Sequence, residues 1–509
     1  MRKLLPLFAF FLLAALPALP WEAALENGEG SLAPERDDRL YVIVDFDVHI
    51  VGRTRPNILM GEANLRVGEE LRGRAALEAY IRDRTQALTN LRVLRDNPEV
   101  SYLLGERRAD GSYPVTIVVR VEDSLNVIAF PVPSYHSHRG MGIDIRARDY
   151  NLFGTMRPLR IDLGYNRDNE GRNSFRFMLD ASVPFSAFGF DWNFRFENDL
   201  RYRPGVEEPF FFRNITGLSV NLPLSFTMLT VGFDGSVIVN HEVRDGLFQS
   251  GPYMSSRAFA SWRIPTGLRA GNFGELAYTI GPSVTFNHEL PGRPFVHDSL
   301  RGPFVNLTHS LGFGRIDWRG NFRSGLSASL TNSFSYDIFR YASEPFGVDL
   351  SFSMTAHLAL SRFLGASARI QSRRWFTFEG HRYHGNAGDV LRGIADDDIS
   401  AEHMLSVNMN LPFRALDFAP SRWFDDRRWR LFDFEFHVSP MLDVAIFDDP
   451  RGGTSFAAAG GLEFMVFPGI VRAMYLRLSV GADVLWFLSN RQIPSGRHRE
   501  ITLGLGHFF

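Results

Sequence analysis

"RAMYLRLSVGADV", residues 472–484, alternates without a break. Met474, Leu476, Leu478, Val480, Ala482 and Val484 are apolar, and Tyr475, Arg477, Ser479, Gly481 and Asp483 stand between them. A period of two puts one set on each face of a strand, a pattern no amphipathic helix makes. One face is greasy and the other carries an arginine and an aspartate, so the strand needs oil on one side and water on the other.

The same pattern recurs from about residue 126 to the end. "LRIDLGY" sets Leu159, Ile161, Leu163 and Tyr165 against Arg160, Asp162 and Gly164; "LSVNL" sets Leu218, Val220 and Leu222 against Ser219 and Asn221. "LFDFEFHV" sets Phe432, Phe434, Phe436 and Val438 against Asp433, Glu435 and His437. Short Gly/Asn/Asp/Pro turns alternate with long polar connections such as "HRYHGNAGDVLRGIADDDIS" (381–400) and "APSRWFDDRRW" (419–429). Stacked β-sandwich domains are the soluble alternative, but their strands run about five or six residues. A tilted strand crossing a bilayer needs about nine to eleven, which these segments meet. A closed barrel satisfies every backbone amide within the membrane. The pattern therefore predicts a mainly β fold, a transmembrane antiparallel β-barrel over residues 125–509. The count is roughly 16 to 18 strands, open at 126–150 and 347–378; with both chain ends on one side the number is even, and about 16 is expected.

Composition is consistent with this. The 509 residues carry 55 Lys+Arg against 57 Asp+Glu, so no basic field for nucleic acid exists. Cysteine is absent, which suits export to an oxidising compartment and excludes disulfides and thiolate metal sites. The 46 Phe sit in a chain of slightly negative mean hydropathy, as in a sheet protein that alternates its faces. Arg2 and Lys3 precede "LLPLFAFFLLAALPALP" and a small-residue region from Ala18 to Ala24, which reads as a secretory signal peptide over 1–23. A polar linker, 24–38, follows. No later apolar run is long enough to span a bilayer as a helix.

Residues 39–124 differ from everything after them. "VIVDFDVHI" alternates; "RPNILMGEANL" and "GRAALEAYIRDRTQALTNL" look helical, the second with Leu77, Ile81 and Leu88 on one stripe. "PEVSYLL" and "YPVTIVVRVED" close the segment as two strands. The order strand, helix, helix, strand, strand describes one small α+β domain.

That order, the "VGEEL" between the helices and the closing "VVRVED" resemble a POTRA domain. "GMGIDIRARDYNLFGTMRPLRIDLGY" (140–165) resembles the first hairpin of the BamA/TamA superfamily, in which an Asn-Leu-Phe/Leu-Gly turn joins the first two strands. "LRGI" (391–394) lies in a long loop, where that superfamily carries a Val-Arg-Gly-Phe/Tyr motif in its sixth extracellular loop. "AEHMLSVNMNLPF", "SPMLDVAIF", "AAAGGLEFMVF" and the terminal "LGLGHFF" follow in the family's order.

The resemblance implies a factor for assembly or insertion of outer-membrane proteins, or for protein translocation, with the POTRA-like domain in the periplasm. Its partners would be outer-membrane lipid, unfolded β-barrel or secreted clients, and periplasmic accessory proteins, with no nucleic acid. It implies that the loop folds into the lumen, where Arg392, beside Gly393, pairs with carboxylates on late strands. Strand parity turns Asp443 and Glu463 inward, and a planar guanidinium suits bridging two carboxylates. Phe509 would be the barrel's C-terminal signal. A client would add as a strand at the POTRA edge and at the seam between a first strand near 140–149 and a last near 499–509; Gly504 and Gly506 weaken that last strand.

Other chemistry is thinner. His381 and His384 lack fixed neighbours for a metal, and "DDD" (396–398) and "FDDPRGG" (447–453) lack calcium-loop spacing. No nucleophile–base pair or phosphate-cradling loop occurs, so neither an enzyme nor a cofactor is expected. The rival readings are a diffusion pore, a surface adhesin or antigen, and a two-partner-secretion transporter.

Overall fold

A strand ladder that is greasy on one side has two problems, its unpaired edges and its apolar face. The computed structural model removes the edges by closing the ladder on itself. It describes residues 37–506 apart from 137–139, 206–208, 225–226, 241, 244–246, 249–250, 296–297, 341–344, 378–384, 387–389, 395–399, 402, 425–426, 449–452 and 492–497. The expected signal peptide, most of the linker, Phe509, His381, His384 and the acidic run 396–398 lie outside the described residues.

The described chain divides into two compact units, one of the residues up to Asp47 with Arg66–Arg82 and Ser101–Val118, the other of Val48–Leu65, Asp83–Val100 and Val119 onward. The N-terminal elements are a strand Leu40–Val51, a helix Pro56–Glu62, a strand Glu70–Arg72, a helix Arg74–Asn90, and strands Glu99–Leu104 and Tyr113–Glu122. Pro56 opens the first helix where a missing N–H costs nothing. Leu77 and Leu88 of the second are fully buried, as are Ile43, Val115 and Ile117. The four strands form a sheet in the order Glu70–Arg72, Leu40–Val51, Tyr113–Glu122, Glu99–Leu104. The strand Glu70–Arg72, which begins in "VGEEL" (67–71) and ends one residue beyond it, was not expected. It is too short to show a period, and only its pairing, from Leu40↔Arg72 to Val42↔Glu70, makes it a strand.

The barrel has 18 strands among the described residues, not 16, counting His403–Asn410 and Phe413–Phe418 as one interrupted strand, since both pair with Phe434–Asp448. The interruption falls at Leu411–Pro412, where proline has no N–H for the ladder. Both regions that left the count open hold two strands: Val127–His136 with Gly140–Asp149, and Phe346–Ala359 with Gly365–Thr377. The first strand is therefore Val127–His136 rather than 140–149. The Asn-Leu-Phe-Gly turn joins the second and third strands, not the first two.

Closure is uneven around the ring. Between Phe304–Arg319 and Phe322–Asp337 the register runs unbroken from Phe304↔Asp337 to Arg319↔Phe322. The first and last strands share a single registered pair among the described residues, Thr502↔His136. The first strand carries Pro131 and Pro133, yet its ladder to the second strand runs unbroken through both, from Val127↔Asp149 to His136↔Gly140. The two missing donors therefore face the other edge, toward the last strand.

The faces separate as the opening stretch requires. Leu462↔Val480 alternates with Glu463↔Ser479 along one pair of strands. Leu462 and Val480 are exposed, whereas Glu463 is 1% and Ser479 4% exposed. Leu218, Phe233, Leu330, Leu442 and Phe456 continue the exposed apolar outer band. Inside, charges pair across strands, as in Arg148 with Asp162 at 2.5 Å, Arg176 with Asp199 at 3.1 Å and Arg213 with Glu197 at 2.7 Å. No helix among the described residues is long and apolar enough to cross a membrane. With an even number of strands, the first begins and the last ends at the same rim, where connections such as 188–189 and 320–321 are tight.

Candidate functional site: a loop clamped inside the barrel

The long connection between Gly365–Thr377 and His403–Asn410 returns into the lumen at Val390–Ile394. Leu391 and Ile394 anchor it, at 1% and 5% exposed, against Met404, Ala445, Ala457 and Ala459. Small residues on the late strands make room for these two side chains.

Between the two apolar anchors sits Arg392, 4% exposed. Its backbone N–H and Nε both donate to Asp443 Oδ2, at 2.9 and 2.8 Å, and its Nη2 donates to Oδ1 at 2.5 Å. This bidentate fork is the geometry that distinguishes arginine from lysine. Its Nη1 lies 3.8 Å from Glu463 Oε1. Glu463 is held in turn by Ser479 Oγ and Asn410 Nδ2, each donating at 3.1 Å, with Arg477 Nη1 at 3.6 Å. A buried cation, Arg392, and a partly buried one, Arg477, thus face two buried carboxylates, at a depth where an unmatched charge is costly.

Gly393 extends the clamp to the last strand. Its N–H donates to Glu500 Oε2 at 2.9 Å, and Thr502 Oγ1 donates to Glu500 Oε1 at 3.2 Å. Gly393 has φ +110°, and a Cβ there would stand 2.4 Å from Ala482 N. A Cβ on Gly481 would stand 2.7 Å from Arg392 O. Two glycines therefore let the loop backbone lie directly on a strand backbone. Asn408 Nδ2 donates to Val390 O at 2.6 Å. Asn408, Asp443, Glu463, Gly481 and Glu500 lie on the last five strands, counting the interrupted one once.

Of the residues expected at this site, the structure brings together Arg392, Gly393, Asp443 and Glu463. The sequence reading did not single out Asn408, Gly481 or Glu500. Parity in "EITLGL" does turn Glu500 inward with Thr502 and Gly504, but parity cannot say which loop atom it meets. The departures Leu391 and Ile394 from the family motif are apolar plugs of the same pocket.

A second polar knot, also in the larger unit, surrounds the "NLFG" turn. Asn151 is fully buried and donates through Nδ2 to Thr54 Oγ1 at 2.7 Å and to Asp123 Oδ2 at 3.2 Å. Asp123 also accepts from the backbone N–H of Arg53 and Thr54 at 2.7 and 3.1 Å. In the same unit Arg92 donates to the carbonyls of Arg472 and Gly320, at 2.7 and 3.1 Å, and lies 4.4 Å from the Trp318 ring centroid. Burial first, and the nearby Arg472 charge second, lower the Arg92 guanidinium to about 10.

No family model matches the chain, and no curated protein matches it. Among solved structures it aligns with BamA from Haemophilus ducreyi lacking POTRA domains 1–3, at 12% identity over 91% of this chain and 84% of that one, with a TM-score of 0.37. CdiB from Acinetobacter baumannii aligns at 12% identity over 92% and 74%, TM-score 0.46. CdiB from Escherichia coli aligns at 11% identity over 94% and 93%, TM-score 0.39.

Proposed function

We propose that this chain is an outer-membrane factor of the BamA/TamA type that inserts or translocates client proteins through the seam of its barrel. The observation that carries the proposal is the seam itself, which among the described residues shows a single registered pair in a ring where a ladder such as that from Phe304↔Asp337 to Arg319↔Phe322 runs unbroken. A strand edge held by few hydrogen bonds opens before the rest of the sheet, and the edge it exposes pairs with an extended client largely regardless of sequence. The exposed apolar band supports a membrane setting, because a patch of that extent is unfavourable in water. The N-terminal sheet reads as a periplasmic POTRA-like module. Its outer strands, Glu70–Arg72 and Glu99–Leu104, offer edges of the same kind.

The loop clamp supports the same reading. Arg392, Gly393, Asp443 and Glu463 act as a lock that ties Val390–Ile394 to the wall ending at the seam, with Glu500 on the last strand accepting the Gly393 N–H. An open diffusion pore has no use for a buried apolar plug at Leu391 and Ile394. Depletion of the protein, followed by the outer-membrane proteome, tests the function. Loss of other barrels, or of particular secreted proteins, is the expected result; an unchanged proteome with an unchanged secretome contradicts it.

A further inference from the structure

We propose that the outer wall across the ring from the seam is a contact surface for a second copy of this chain, an inference that rests on the reading of the barrel as membrane-spanning. Its centre is His309 and Asn332, which face each other across the strands Phe304–Arg319 and Phe322–Asp337. Both share the outward parity of Leu311 and Leu330, the exposed pair two residues along the same ladder. On the first of these strands the outward set is Val305, Leu307, His309, Leu311 and Phe313, so two apolar positions stand on either side of the imidazole. At about 3.4 Å per residue, His309 lies deep within the apolar band, where no water solvates a polar group.

The neighbours satisfy this pair only in part. Tyr278, outward on the adjoining strand Glu275–Glu289, shares a 2.5 Å hydrogen bond with His309 Nδ1. The Phe334 ring meets the imidazole edge-on at 6.0 Å. Asn332 Oδ1 is covered, and among the described residues no hydrogen bond reaches it. Asn198 and Asn214 form another outward amide pair, but there Asn214 Nδ2 donates to Asn198 Oδ1 at 2.8 Å and closes the pair on itself. At 309 and 332 the wall keeps polar capacity that only a further body can use. Arg374 continues the outward row beyond Leu350, yet it stands close to the end of its strand at Thr377 and belongs to the rim.

Complementarity commits the surface to a second copy. An amide presents donor or acceptor by turning about its terminal torsion, and an imidazole nitrogen serves as either according to its tautomer. With Nδ1 engaged by Tyr278, the Nε2 of one copy therefore matches the Asn332 amide of another in both tautomers. Because 309 and 332 are cross-strand neighbours, a two-fold axis between them along the membrane normal brings each His309 to the other copy's Asn332. Hydrogen bonds of this kind hold spanning segments together in hydrocarbon. The three strands involved are the ninth to eleventh of 18, so the contact leaves both seams clear.

The test uses the full chain, which has no cysteine of its own, in phosphatidylcholine–phosphatidylglycerol vesicles. Leu330→Cys places a thiol beside the axis, and Leu462→Cys places one elsewhere on the exposed outer wall. Oxidation with copper phenanthroline at equal protein density is expected to give severalfold more disulfide-linked dimer from Leu330→Cys than from Leu462→Cys. His309→Leu with Asn332→Leu makes the wall more apolar, so the barrel should still insert. The Leu330→Cys dimer should then fall to the Leu462→Cys level. Equal yields at the two positions overturn the proposal, and so does a yield that the double substitution leaves unmoved. In cells, a photocrosslinker at position 330 should join the chain to itself; an adduct of any other mass assigns the surface to another protein and overturns the second copy. A chain that fails to float with the vesicles overturns the membrane reading, whereas flotation without preferential crosslinking overturns the dimer alone.

Discussion

A guanidinium buried as deeply as that of Arg392 is tolerated only with its charge matched and its donors aimed. Arg392→Ala leaves Asp443 buried without its partner, a penalty of about 3–5 kcal/mol for a broken buried pair. We expect the barrel to stay assembled, since the ladder is untouched, while the loop 378–402 becomes protease-sensitive and activity falls. Arg392→Lys is expected to rescue little, because an ammonium cannot reproduce the bidentate fork. Gly393→Ala should release the loop as well, through backbone overlap with Gly481 and Ala482 instead of charge. Limited proteolysis of the three variants measures this, and a loop as resistant as in the parent chain contradicts it. At this scale the sequence was informative where parity suffices, at Asp443 and Glu463. It was silent where two distant backbones touch, at Gly481, because nothing local distinguishes that glycine from its neighbours in the strand.

Strands were legible from their alternation, and the one at Leu476–Asp483 keeps the pattern that first identified it. What alternation cannot show is where one strand stops and its neighbour begins when the turn is very short. Nor does it show that a proline-bearing run such as Val127–His136 still pairs. The strand count rose to 18 for that reason. The same prolines make a prediction about the seam. Pro131 and Pro133 are exposed and alternate with buried Val132, so valine fits at both without touching the lumen. Pro131→Val with Pro133→Val restores two donors facing the last strand, each worth about 1 kcal/mol once paired. Hydrogen exchange of 499–505 should slow and client insertion should slow with it. Unchanged exchange with unchanged activity would show that the prolines do not set the seam.

For the whole molecule, the outer band and the loop clamp make a joint prediction. The mature chain should enter lipid vesicles and carry only small, erratic currents, since Val390–Ile394 and the paired charges occupy the lumen. Deleting 378–402 should convert these to large and steady currents. Large, steady conductance in the intact chain would instead favour a diffusion pore. The division into a small α+β sheet and a large barrel could be read from composition and period alone. The narrowness of the closure could not, because it depends on the register of two strands at opposite ends of the barrel sequence.

On the proposed function, passage of a client requires the first and last strands to part. Residues 136 and 502 face each other as a registered pair, at the spacing that a cross-strand disulfide spans. In the cysteine-free background, His136→Cys with Thr502→Cys forms a reversible staple across the seam. We predict that the oxidised protein remains a folded, vesicle-inserted barrel but no longer accelerates insertion of an unfolded client barrel, and that reduction restores the activity. Equal activity in the oxidised and reduced forms would contradict the account.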